Sequence, residues 1–198
     1  QMVAGAVVPP RLELSNEDLV RAHVHAIWLA NTGLSLESGS PDTSNILAIL
    51  DPAQPGCPLR QEVRDQIALS EARWQQCLES CRRVLAECDP QLLDSDWYDK
   101  HWLEDTLRQA PQTFDRAFDR WRELFETAMA QLQLAQRLQV QAYVGGQAAQ
   151  EVARDPQAMQ REAQRQLDLL YCRNTKADES DFYPYRYLAS EGFLPGYN

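Results

Sequence analysis

The stretch PQTFDRAFDRWRELFETAMAQLQLAQRLQVQAYV, from Pro111 to Val144, decides the fold of this chain. It has a proline at its first position, contains no glycine, and ends at Gly145-Gly146. Proline in the first turn and glycine after the last turn are typical helix boundaries, so the sequence predicts one helix of roughly 48 Å. Apolar residues at alternating steps of four and three place one seam along it: Phe114, Phe118, Trp121, Phe125, Ala128 and Leu132, continued by Leu138 and Ala142.

The segments around this helix also show helical spacing, and strand alternation is almost absent. A helix that long and aromatic needs apolar partners, and these segments supply them. The sequence therefore predicts an all-α fold, an antiparallel bundle of about six or seven helices around a long central helix, with extended, non-helical ends. The other predicted helices run over 16–31 with Ser15 as cap and Gly33 as stop, 43–50, 58–68, a stretch capped by Ser70, 95–109, and a last helix from Pro156.

Three regions follow from this pattern. Residues 1–14 are expected to be an extended N-terminal connector, residues 15–174 a helical domain, and residues 175–198 an aromatic-rich C-terminal connector. The last region is rich in aromatic residues, with Pro184, Gly192, Pro195 and Gly196 breaking any helical period. Its rings either pack on the helical body or offer stacking faces to unpaired bases. Packing is favoured, because a net charge of -10 leaves little attraction for a nucleic-acid strand.

Composition limits the setting. The sequence has no signal-peptide pattern and no apolar run of about eighteen residues, so we expect no membrane partner. Its five cysteines are odd in number and form no C-x-x-C pair, which favours a reducing cytoplasm. The first residue is Gln1 and the last is Asn198, directly after a turn. The expectation is a piece of a larger protein.

Basic and aromatic residues are the candidates for nucleic-acid contact. Arginines spaced by four along a helix can form a basic ridge, although intrahelical pairs with neighbouring carboxylates are the simpler alternative. Aromatic rings of the C-terminal region can stack on bases, with an arginine near a phosphate. The candidates are Arg116, Arg120, Arg137, Arg161, Arg165, Tyr185, Arg186 and Tyr187.

Three groups of potential metal ligands have simpler structural explanations. His23 and His25 lie about 200° apart on a helix and cannot share an ion; His25 is expected nearer solvent. Cysteines on the apolar stripe of their helix are typical small buried residues; these are Cys77, Cys81 and Cys88. An acidic first turn that complements the helix dipole explains the third group, although ion binding stays open there: Asp96, Asp99, His101, Glu104 and Asp105. We predict no metal ligand and no catalytic residue.

Two runs resemble a known family. They are MVAGAVVPPRLELSNEDLVRAHVHAIWLA, from Met2 to Ala30, and DFYPYRYLASEGFLPGYN, from Asp181 to Asn198. Both look like the connecting region of very large bacterial superfamily II DEAD/DEAH-box helicases, whose relatives include the helicases of DISARM-type anti-phage systems. In that family the first run follows the second RecA-like motor lobe, and the second leads into a C-terminal domain with clustered cysteines.

The resemblance covers under fifty residues and implies a role within a larger enzyme. The chain would be a helical accessory domain that couples the motor to the C-terminal domain, or guides DNA or RNA. Its partners would be the rest of the helicase and, where it guides a strand, DNA or RNA. ATP and Mg²⁺ would bind to the motor, because this chain has no phosphate-loop or DEAH motif and is not expected to be an enzyme or hold a cofactor itself. The alternative is a protein-interaction domain or structural spacer without nucleic-acid contact.

Overall fold

The computed structural model describes residues 16–36, 46–87, 92, 95–99, 101–145, 156–172 and 182–196. Within these residues the secondary structure is helical, and the only β pairing is an isolated antiparallel bridge between Leu50 and Leu59. The prediction of an all-α fold is confirmed. The helices are α1 Glu17–Thr32, a 3-10 helix Ile46–Ala48, α2 Gln61–Ile67, α3 Glu71–Ala86, α4 Trp102–Arg116, α5 Asp119–Gly145, α6 Pro156–Leu170 and α7 Pro184–Ser190. The connector over residues 1–14 and the boundary at 174–175 lie outside the described residues.

Local caps set the ends of α1 and the start of α3. The side chain of Asn16, rather than the predicted Ser15, accepts hydrogen bonds from the backbone N–H groups of Asp18 and Leu19 at 3.0 and 3.3 Å. Gly33 ends α1 with φ 70°, a conformation that glycine adopts without strain. Ser70 caps α3 as predicted.

The body of the fold consists of α1, α3 and α4, which pack against one another. Their contact faces are apolar and include Val24 and Trp28 of α1, Leu78 of α3 and Leu107 of α4, all buried. The segment from the 3-10 helix to α2 covers one side of this body. The same core includes three residues of that segment, Ile46, Leu50 and Leu59. The sequence predicts helices over 43–50 and 58–68, but part of each range is instead a turn or the bridge between Leu50 and Leu59.

The predicted single helix over 111–144 is wrong at its start and in its middle. It begins nine residues earlier at Trp102, so Pro111 lies inside α4 rather than at a boundary. A turn at Ala117 and Phe118 then separates α4 from α5. The seam itself is confirmed as core: Phe114, Phe118, Trp121, Phe125 and Ala128 are buried, and Leu132 is partly buried.

Helices α5 and α6 form an antiparallel hairpin. Two contacts give its direction, because the residue number rises along α5 while it falls along α6: Trp121 with Leu170, and Gln139 with Gln160. Near Trp121 the hairpin is part of the main core. Farther out, its interior is made of small residues, the fully buried Ala135 and Ala163. The distal half of the hairpin therefore extends beyond the core.

The aromatic C-terminal region differs from the prediction of a non-helical end. Residues Pro184–Ser190 form α7, with Pro184 at the first turn, where a missing N–H costs nothing. A seven-residue helix is too short to give a clear period in the sequence. Packing of the rings is confirmed for Tyr187 and Phe193, which are both buried in the core with Leu188 and Leu194.

Replacing Trp121 by alanine tests whether this seam stabilises the fold. Trp121 is fully buried, stacks on Phe125 with ring centroids 5.2 Å apart, and donates its indole N–H to the Leu170 carbonyl. We expect Trp121→Ala to lower the free energy of unfolding by about 3 to 5 kcal/mol in urea titrations. Tyr143→Ala, on the exposed face of the same helix, should change it by less than about 0.5 kcal/mol. A loss below about 1 kcal/mol for Trp121→Ala would contradict the assignment of this core.

Candidate functional site: the docked C-terminal segment

The described parts of the runs Met2 to Ala30 and Asp181 to Asn198 lie against each other in the core. Phe193, from the second run, stacks on His25 of α1 with ring centroids 4.4 Å apart and an interplanar angle of 11°. It also meets Trp28 of α1 edge-on at 6.1 Å, and Phe114 of α4 at 5.4 Å. We call residues 182–196 the C-terminal segment. This segment packs on α1 and α4 as part of one core.

His25 is buried, so the prediction that it lies nearer solvent is wrong. Its Nδ1 lies 3.2 Å from the backbone oxygen of Phe193, at donor distance to that carbonyl. Burial lowers the pKa of His25 to about 4, against the raising effect of the Phe193 carbonyl, and the positive charge of Arg21 lowers it further. The imidazole is therefore neutral at pH 7 and works as a structural hydrogen-bond donor.

Tyr187 fixes the middle of the C-terminal segment. Its ring stacks on Phe118 at 5.9 Å, and its hydroxyl accepts the backbone N–H of Trp121 at 2.9 Å. Burial raises the pKa of Tyr187 to about 12, with Glu191 adding to the effect. At the end of α7, Glu191 accepts a hydrogen bond from Arg120 at 3.2 Å. The segment is thus joined to the start of α5 by a neutral phenol and an ion pair.

The structure separates the candidate nucleic-acid contacts rather than collecting them. Tyr187 is inside the core and cannot stack on a base, whereas Tyr185, on the opposite side of α7, is 40% exposed. Arg186 is exposed beside it. Arg116 is exposed at the end of α4, and Arg120, although exposed, is paired with Glu191.

The arginines of the hairpin point in opposite directions. Arg137 is two residues from the buried Ala135, which places it about 200° around α5 from the α5–α6 contact. Arg161 and Arg165 have the same relation to the buried Ala163 of α6. They therefore occupy the two outer sides of the hairpin, and Arg165 is also paired with Glu162 at 3.2 Å. A single basic ridge through all three does not form.

The acidic group around α4 is occupied by structural contacts. Asp99 accepts the backbone N–H groups of His101 and Trp102 at 2.7 and 2.8 Å, which caps the start of α4. Glu104 binds Arg82 at 3.0 Å and Arg108 at 3.3 Å, and Asp105 also pairs with Arg108. Asp96 is exposed. This arrangement is that of a capped helix start with surface ion pairs.

The two described cysteines of α3 face the core. Cys77 and Cys81 are fully buried and free, and Cys88 lies outside the described residues. A hydrogen bond from one thiol to the other and burial raise the pKa of Cys81. The same hydrogen bond lowers the pKa of Cys77. Both thiols are buried away from solvent, where cysteine packs as a small apolar side chain. In the described parts of the chain, no three histidine, cysteine or carboxylate side chains are grouped to hold a metal ion.

Two features were not found by sequence reasoning. Arg122, only 14% exposed, donates Nε to the Cys57 carbonyl at 3.0 Å and contacts Asp115 and Asp119. The positions of Asp115 and Asp119, seven and three residues before Arg122, could have indicated these ion pairs. The bond to Cys57 could not be found in this way, because Cys57 is 65 residues away. The second feature is an open groove of about 590 Å³ between α3 and α4. It is lined by Leu69, Glu71, Trp74, Gln75, Leu78, Arg82, Glu104 and Arg108.

Comparisons with protein-family models, with curated proteins and with solved structures find no match for this chain. None of the helices described here is long and apolar enough to cross a membrane.

The burial of His25 predicts a loss of stability in mild acid. The pKa is 6.5 in the unfolded chain and about 4 in the fold, so the unfolded state binds more protons between these values. The stability that neutral His25 contributes is complete above about pH 6.5. Up to roughly 3 kcal/mol of it is lost as the pH falls to about 4. In urea titrations over this pH range, we expect the free energy of unfolding to fall less in His25→Phe than in the wild type. Val140→Ala, at an exposed position without a titratable group, should keep the wild-type loss. Identical pH profiles for His25→Phe and wild type would refute the prediction.

Proposed function

We propose that this chain is a helical accessory domain of an ATP-dependent DNA or RNA helicase, and that it couples the motor to the C-terminal domain. The observation that supports the proposal is the contact between the two helicase-like runs. Their described parts, residues 16–30 and 182–196, pack together through His25, Trp28 and Phe193. A displacement of one run would therefore be passed directly to the other.

Coupling is favoured over guiding a nucleic-acid strand. Tyr187, one of the two tyrosines expected to stack on bases, is buried, and the hairpin arginines lie on opposite sides. Arg120 and Arg165 are engaged with carboxylates. The net charge of -10 repels phosphate at long range. ATP and Mg²⁺ belong to the motor in this proposal, and the chain contributes no catalytic residue.

The alternative is a protein-interaction domain without helicase function. The exposed apolar side chains of the hairpin favour it, since Val140 is 64% and Tyr143 94% exposed on α5. Such side chains are common at protein-binding surfaces. In this alternative the contact between α1 and the C-terminal segment is only part of the core.

The proposal is tested in the intact protein that contains this chain. We expect that protein to hydrolyse ATP and to unwind a duplex. Phe193→Leu, which loosens the contact with His25 without emptying the site, should lower unwinding per ATP hydrolysed while basal hydrolysis remains. Leu169→Ala, at an exposed position of α6, is the control and should leave both rates unchanged. An intact protein without ATPase activity would overturn the helicase assignment.

A second measurement separates coupling from guiding. The purified chain is titrated with single-stranded DNA at salt concentrations from about 50 to 200 mM, over which phosphate contacts weaken strongly. Coupling predicts no salt-dependent binding by the chain. Binding that falls steeply with salt, and that Arg161→Gln with Arg165→Gln weakens, would show that this domain contacts the strand directly.

A further inference from the structure

The turn between α4 and α5 interrupts a sequence that is suited to one continuous helix. From Gln112 to Val144 there is no proline or glycine, and Ala117, at the turn, is the best helix former. The seam residues on both sides keep the same spacing of four and three, and all face one core. Neither local propensity nor the apolar pattern accounts for the interruption.

The hydrogen bonds at the turn identify what maintains it. Ala117 N–H still bonds to the Thr113 carbonyl at 3.0 Å, but Phe118 N–H bonds only three residues back, to Asp115 at 3.2 Å. The α-helical pattern resumes where Arg122 N–H meets the Phe118 carbonyl at 3.0 Å. Between these points, the N–H of Trp121 is directed to the Tyr187 hydroxyl rather than to the carbonyl four residues back. An acceptor from the C-terminal segment thus replaces an intrahelical acceptor.

Two further contacts act on the same turn. Arg122 donates to the Asp115 carbonyl at 2.8 Å, the oxygen that a continuous helix would offer to the N–H of Asp119. Arg120 is drawn to Glu191 at the end of α7. Tyr187 and Arg122 thus occupy one backbone donor and one backbone acceptor at the interruption, and the Arg120–Glu191 ion pair ties the start of α5 to the C-terminal segment.

The turn also joins two parts of the molecule. On one side α4 packs with α1 and α3, and on the other α5 packs with α6. The C-terminal segment touches both parts: Phe193 contacts α1 and α4, while Tyr187 contacts the start of α5. The segment is therefore placed to control the angle between the α5–α6 hairpin and the body formed by α1, α3 and α4.

We infer that the C-terminal segment is a strap that holds α4 and α5 as two helices, and that its release lets them join into one helix from Trp102 to Gly145. With the strap docked, the direction of the hairpin is set at the turn. With the strap withdrawn, the N–H of Trp121 takes the carbonyl of Ala117, and the N–H groups of Asp119 and Arg120 take the carbonyls of Asp115 and Arg116. Arg122 is then displaced from the Asp115 carbonyl. The hairpin then changes direction relative to α1 and α3. This device does not require a helicase motor.

The test weakens the strap in the full-length chain without emptying the core. Tyr187→Phe removes the hydroxyl but keeps the ring on Phe118, and Glu191→Gln removes the charge that holds Arg120. In the double variant we expect the ¹³Cα shifts of residues 117–120 to move to helical values. Amide exchange at Asp119 and Arg120 should slow by about fivefold to tenfold, the effect of one added backbone hydrogen bond. Tyr185→Phe removes a hydroxyl of the same helix that donates to the Pro195 carbonyl at 3.5 Å rather than to the turn, so it should leave both measurements at wild-type values.

Ala117→Gly in the double-variant background provides a second check. Glycine disfavours a continuous helix, so it should return the shifts of residues 117–120 toward wild-type values. If the double variant does not fold, Tyr187→Phe alone carries the same test with a smaller expected shift. Shifts that remain non-helical in a folded strap variant would overturn the inference.

The change in direction is measured by the distance between spin labels on Arg83 of α3 and Gln136 of α5, both exposed. Labels attached through unnatural amino acids avoid the native cysteines. The double variant should show a distance population that is absent from the wild type and from Tyr185→Phe. An unchanged distance distribution would overturn the inference even if the local shifts moved.

Discussion

The fold depends on two hydrogen bonds of Trp121, which provide partners for a backbone N–H at the start of α5 and for a carbonyl at the end of α6. The first N–H groups and the last carbonyls of a helix have no partner within it, and burying them unpaired is costly. Here the backbone N–H of Trp121 donates to the Tyr187 hydroxyl, and its indole N–H donates to the Leu170 carbonyl at the end of α6. One buried residue therefore joins α5, α6 and the C-terminal segment. Aromatic side chains suit this role because they bring a large apolar ring and one polar atom to the same place.

This arrangement makes the C-terminal segment part of the domain rather than a tail. Phe193 shares the core with His25 and Trp28, so α1 and the segment bury part of each other's aromatic surface. Residues 16–30 and 182–196 are the two partners in this contact. A role in transmitting movement between them agrees with this packing better than a role as a surface for nucleic acid. The buried, neutral His25 agrees as well, because a charged imidazole would not be stable at that contact.

The candidate site could be predicted from the sequence only in part, and Tyr185 and Tyr187 illustrate the reason. Both lie in the same short aromatic run, and the sequence offered no reason to separate them. The structure exposes one and buries the other, because α7 turns Tyr187 toward Phe118. Arg137 and Arg161 show the same limit. Helical spacing gives the angle of each side chain on its own helix, but the direction of a shared face depends on how two helices are paired.

The sequence by itself determined the helical class, the buried seam from Phe114 to Ala128, and the local boundaries at Gly33 and Ser70. These features depend on propensity, periodicity and caps, which act over a few residues. Only the tertiary structure decided the interruption at Ala117 and Phe118 and the docking of residues 182–196. Their partners are distant in sequence: Tyr187 is 66 residues from Trp121, and Phe193 is 168 residues from His25. Interactions of that range leave no period in the sequence, so they become visible only when the helices are packed.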